Sequence, residues 1–186
     1  MIDLKKKVLP NTVTVGGRAF SIYTDYRIWL RFVVEFEHWQ KKGLKGTLDI
    51  KYLFKNEIPV FECKADYDGI FDFAFPKNVI PHSDSSRGEQ VLFYDVDGDY
   101  IYSAFMQQYG IDLIDIKELH WHKFKALLNG IGKPTKLNEI MSYRAYTGEH
   151  VKAEDQYRKL KEAWMPPYIP TEEEIEAEKE FEDYFG

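Results

Sequence analysis

The stretch Tyr94–Arg144, YDVDGDYIYSAFMQQYGIDLIDIKELHWHKFKALLNGIGKPTKLNEIMSYR, decides the fold of this chain. Ile101, Ala104, Phe105 and Tyr109 recur at the three-to-four spacing that brings side chains onto one helix face. Gly110 stops that helix, and Asp112 is placed to cap the next segment, whose apolar residues Trp121, Phe124, Leu127, Leu128 and Ile131 run past Asn129-Gly130. After Pro134-Thr135 a third stripe follows at Leu137, Ile140, Met141 and Arg144. Three short helices, each apolar on one side, imply a compact helical body.

Upstream, TVTVGGRAFSIYT over residues 12–24 alternates in polarity about Gly16-Gly17. Two adjacent glycines accept positive φ without cost, so the pattern predicts a β-hairpin with Val13, Val15, Phe20 and Ile22 on one face. A lone hairpin is marginal in water and needs a surface to lie on. The next segment supplies one. Asp25 can cap a helix carrying Trp29, Phe32, Val33, Phe36 and Trp39 in line, widened by Ile28, Leu30 and Val34, which predicts a central core helix ending at Gly43 and Gly46. Leu48–Phe54 and Val60–Phe75 predict shorter helices around Pro59, with Cys63 as a small core residue. Residues 76–90 lose periodicity and fill with Pro, Ser, Asn and Gly, which reads as a flexible linker.

Beyond Arg144, the line of Ala153, Tyr157, Leu160 and Trp164 predicts another amphipathic helix, stopped by MPPYIP. Thr171 and Glu174 then form a capping-box pattern that opens an acidic end. The chain is therefore expected to be mainly α with an N-terminal β-hairpin. Residues 1–165 form a compact helical domain, and 166–186 form an acidic tail or short helix.

Charge sharpens that division. The formal charge is −6, but residues 166–186 hold seven Glu and one Asp against Lys179, about −7, leaving about +1 for the rest. A nearly neutral body whose only basic run is Lys5–Lys7 does not suit nucleic acid, which requires a Lys/Arg-dense face. No apolar run reaches the roughly 18 residues of a membrane span, and the N-terminal residues contain no apolar core of signal-peptide length. A single cysteine excludes an intramolecular disulfide and suits a reducing compartment.

The candidate chemistry dissolves on inspection. Asp95, Asp97 and Asp99 alternate like the start of a calcium loop, but the sixth and twelfth positions are Tyr100 and Met106 where Gly and Glu are needed. Helix capping and compensation of the helix dipole account for these carboxylates. His120 and His122, two apart on a helix, point away from one another and cannot share a metal, so backbone-bonded histidines are expected. Cys63 has no local nucleophile signature, and no phosphate-binding or dinucleotide-binding glycine pattern occurs. No catalytic, cofactor-binding or metal site is expected.

What remains is a binding surface. Aromatic residues make up 16% of the chain, which reads first as a small core built from large side chains and second as rings that also face a partner, since such residues are enriched at interfaces. The candidates are Phe181, Tyr184 and Phe185 in the acidic end, read either as a solvated terminus or as a short helix docking into a groove of another chain. Arg144 joins them as a planar donor suited to carboxylates, or else as a member of an ordinary surface ion pair.

The segments DGDYIYSAFMQQYGIDL, LHWHKFKALLNGIG and IMSYR, preceded by TDYRIWLRF, resemble the bacteriophage gene-product-fifteen family of tailed phages and prophages of Gram-positive bacteria. The resemblance covers most of residues 8–160. It implies a gene in the tail module, between the major tail protein and the tape-measure protein, where tail assembly chaperones are encoded. On that basis the expected role is a non-catalytic chaperone in the host cytoplasm. It would bind the tape-measure protein, with the tail-tube protein as a further partner and self-association open. Two other readings stand beside it: a minor structural component of the mature tail, and a small regulatory or host-interacting binder.

Overall fold

The computed structural model describes residues 2–43, 47–76, 90–132, 134–148, 154–167, 170 and 174–175. The expected linker, apart from its first and last residues, and the segment carrying Phe181, Tyr184 and Phe185 lie outside the described residues. The capping-box residue Thr171 lies outside them too. The architecture is mainly α with an N-terminal hairpin. In order, β1 (Thr12–Val15) and β2 (Arg18–Ser21) precede α1 (Tyr26–Lys41), α2 (Asp68–Ala74), α3 (Gly98–Tyr109), α4 (Trp121–Asn129), α5 (Lys136–Arg144) and α6 (Glu154–Trp164).

The strands pair antiparallel with Val13 opposite Phe20, and the turn uses Gly16 and Gly17 at φ 54 and 77, as the double glycine predicts. Val13, Val15, Phe20 and Ile22 are all buried, so the alternation aims one face at the core. That face lies on α2. A Cβ at Gly69 would stand 2.4 Å from the Thr14 carbonyl oxygen, so only glycine lets helix and strand approach this closely. Beyond the hairpin, Ile22 bridges Phe54, and the Tyr23 and Lys55 amides donate to Leu53 and Ser21.

Asp25 caps α1, its carboxylate accepting from the Arg27 amide at 3.0 Å. The same residue pairs with His120 in an isolated antiparallel bridge: Tyr26 N–H donates to Leu119 O and Trp121 N–H to Thr24 O. The starts of α1 and α4 are thereby tied side by side. Between them Tyr26 stacks on Phe124 at 4.7 Å, and Phe124 on Phe105 of α3 at 5.2 Å. Trp29, Phe73 and Trp121 complete this centre, with the Trp29 indole donating to Tyr23 O and the Trp121 indole to Ala74 O. Both indoles are buried with their one donor satisfied.

Several expectations change. Helix α4 begins at Trp121, because its first turn is set by the pairing with Thr24, and His120 is the capping residue, its Nδ1 accepting from the His122 amide. Asp112 instead organises a tight turn, accepting from the Ile114 and Asp115 amides, which holds its carboxyl below the usual range. The residues before α2 form 3-10 turns at Lys51–Leu53 and Lys64–Tyr67. Cys63 stands exposed at the head of the second, outside the core expected for it.

Candidate partner-binding surface

One apolar stripe on α1 has two environments. Trp29, Phe32 and Val33 are enclosed, whereas Phe36 and Trp39 on the next turns are half-buried. Around Phe36 stand Trp39 at 6.0 Å, Phe71 of α2 at 5.0 Å and Phe75 at 6.1 Å. Phe36, Trp39, Leu48, Ile50, Tyr67 and Phe71 line a groove of about 620 Å³, with Lys64 and Asp68 as its charged lining residues. Helix α1 supplies one wall, α2 with its preceding turn the other. The chain after Thr47 adds Leu48 and Ile50 to the lining. Their chemistry is apolar contact with one charge of each sign, suited to seating side chains of a partner.

The other side of α1 is held by the segment that leads into α3. Gln90 donates to Glu37, His38 pairs with Asp95 at 3.0 Å, and the Lys41 ammonium sits 5.9 Å from the Phe93 ring. Burial raises the Glu37 carboxyl, and burial together with the Glu37 charge pushes Tyr94 up to about 12.

Arg144 anchors that segment. It is 2% exposed and grips Asp97 through two parallel bonds of 2.6 and 2.9 Å, while Nη1 also donates to Val91 O and Nε to Trp164 O. The arginine expected at a partner surface thus faces inward, joining α3, α5, α6 and the segment at Val91 at one point. Asp97 occupies the capping position of α3 but makes no side-chain bond to the helix; its carboxylate accepts from the Phe93 amide and from Arg144. Among the three aspartates, Asp99 lies in the first turn of α3, where it favours the helix dipole.

The two histidines are backbone-bonded, as expected, but their rings lie 5.2 Å apart rather than pointing away. The helical angle does not apply because His120 precedes the helix. A carbonyl can only accept, so His120 Nε2 donates to Pro10 O and His122 Nε2 to Phe73 O. This leaves His122 Nδ1 buried without a partner, and burial pushes His122 down to about 4 and lowers His120 as well. Beside them a cleft of about 630 Å³ lies between the hairpin and α2, with Asp66 and Asp72 among its residues. Asp66 already accepts from the Glu62 and Cys63 amides, which lowers its pKa. Among the described residues no group of three His, Cys, Asp or Glu side chains is placed to hold a metal ion, and no helix is long and apolar enough to cross a membrane.

The groove residues escaped the sequence reading because Phe36 and Trp39 continue the core stripe of α1 without a break. The available signal was the overall excess of aromatic residues. The comparisons with known proteins place the chain in a family. The family described as Bacteriophage Gp15 protein matches residues 6–165, which include the hairpin and α1 to α6. No curated protein and no solved structure matches. The chain belongs to the bacteriophage Gp15 family.

Proposed function

We propose that this phage protein is a non-catalytic tail assembly chaperone that binds the tape-measure protein in the host cytoplasm through the groove between α1 and α2. The observation that carries the reading is the set of half-buried rings, Phe36, Trp39 and Phe71, around a groove of about 620 Å³. Such a groove accepts the apolar face of an amphipathic helix at i, i+3 or i+4, and i+7 spacing. Contacts of this kind are exchangeable. A chaperone must release its client when tail-tube subunits arrive, so shallow apolar contact suits the task better than a deep ionic lock. The chain belongs to a phage family, and the gene position that the resemblance implies, beside the tape-measure gene, favours that protein as the client.

Co-expression decides it. With this chain present, the tape-measure protein is expected to become more soluble and to co-purify with it, and Trp39→Ala combined with Phe71→Ser is expected to abolish co-purification while circular dichroism remains helical. Tape-measure solubility that is indifferent to this chain would sink the reading. Detection of the chain in purified virions at fixed copy number would replace it with that of a minor tail component.

A further inference from the structure

We propose that Lys125 extends the groove between α1 and α2, and that the client helix carries a carboxylate beside its apolar anchors to pair with this ammonium. The inference rests on the reading of the groove as a seat for an amphipathic helix. The ring wall of that groove continues beyond Phe36 and Phe71. Phe75, just past the end of α2 and 37% exposed, stands 6.1 Å from the Phe36 ring and 6.4 Å from that of Phe71. The Lys125 ammonium of α4 lies 5.5 Å from the Phe75 ring and 5.5 Å from that of Trp121. One wall therefore leads from apolar rings to a cation. Two ring spacings separate Lys125 from Phe36, and two turns of a helix cover about 11 Å. An apolar side chain seated at Phe36 and a carboxylate beside Lys125 thus fit one face of a single client helix.

The bonding of Lys125 is incomplete. An ammonium has three donors, and among the described residues it spends one, on a long contact of 3.5 Å to Ala74 O. None of the described carboxylates pairs with it, and burial alone lowers its pKa. The arginines of α1 differ in this respect, since Arg27 holds Asp25 and Arg31 holds Glu35. A half-buried ammonium has already given up part of its hydration. An incoming carboxylate therefore gains more from it than from an open surface lysine, where water screens the pair. In the groove itself Lys64 and Asp68 are of opposite sign and offset one another, so Lys125 gives the extended surface its positive end. That end favours an acidic client side chain and rejects a basic one, which adds selection to apolar contact.

The test uses the full chain and two dye-labelled helical peptides of about 20 residues, each with Leu at i, i+4 and i+7. They differ only one turn beyond each end of that row, where one carries Glu and the other Gln, so either direction of binding brings the difference to Lys125. By fluorescence anisotropy the Glu peptide is expected to bind about tenfold tighter, and Lys125→Met is expected to bring that ratio close to one. Lys125→Gln repeats the measurement should the methionine variant lose its helical circular dichroism. Equal binding of the two peptides to the unaltered chain would overturn the inference and leave the groove as a helix seat. A Glu preference that survives at Lys125 and is lost in Lys64→Met would overturn it in favour of Lys64 as the cation. Binding of neither peptide would overturn the groove reading itself, and this inference with it.

Discussion

The two halves of α1 carry the same kinds of side chain and meet opposite fates. In the first half Trp29 is 0% exposed, closed in by Phe73 and by the Asp25–His120 bridge that draws α4 alongside. In the second half Phe36 and Trp39 reach a groove open on one side, while the other side is braced by the segment that Arg144 anchors through Asp97. A continuous apolar stripe therefore builds a core at one end and a surface at the other. The lesson is that α4 and the hairpin, joined to the start of α1, stop short of its last turns.

The largest effect should fall on the closed half. Trp29→Ala removes a fully buried indole and leaves Tyr23 O without its donor, and is expected to cost about 5 kcal/mol by chemical denaturation. A cost near that of Trp39→Ala would break the distinction between the halves. Next is the brace. Arg144→Ala leaves the Asp97 carboxylate buried without its cation and is expected to cost about 3–4 kcal/mol. Hydrogen exchange should show protection lost first in residues 90–97 and in the second half of α1; uniform loss along α1 would show that the halves act as one unit.

Acid tests the closed half by a different route. His122 sits between α4 and the carbonyl of Phe73 with a folded-state pKa of about 4 against an ordinary 6.5. Because the folded value is lowered, the unfolded chain binds the proton first: this contribution is fully present above about pH 6.5 and is lost as pH falls toward 4. Between pH 7 and pH 5 the loss is about 2 kcal/mol, and His122→Gln should flatten that slope while the carboxylates still contribute at lower pH. An unchanged slope in the variant would remove His122 as its source. The smallest expected change in stability is that of Trp39→Ala, about 1 kcal/mol for a half-exposed ring, together with the loss of partner capture described above. A large loss of stability with partner capture intact would make the groove a piece of core.

Local signals are legible in the chain and distant pairings are not. The Asp25 cap, the Gly16-Gly17 turn, the Gly110 stop at φ 65 and the Thr135 cap of α5 each depend on a few consecutive residues, so their chemistry is visible in sequence. The start of α4 is not legible, because Asp112 looks like a cap and the pairing of Trp121 with Thr24 that sets the first turn is distant in sequence. Cys63 has the character of a small core residue and stands exposed. Arg144 read as a surface donor because its partner is 47 residues away and itself looked like a helix cap.

The amino-acid sequence by itself determined the mainly helical class, the hairpin, the apolar stripes and the family, because periodicity, caps and turn glycines act over a few residues. Only the tertiary structure decided which part of each stripe becomes interior. It brought Asp97 under Arg144, set the histidine rings side by side, and left Phe36 and Trp39 at the edge of a groove. Burial is a property of what arrives from elsewhere in the chain, and identical rings on one helix cannot announce which of them another helix will cover.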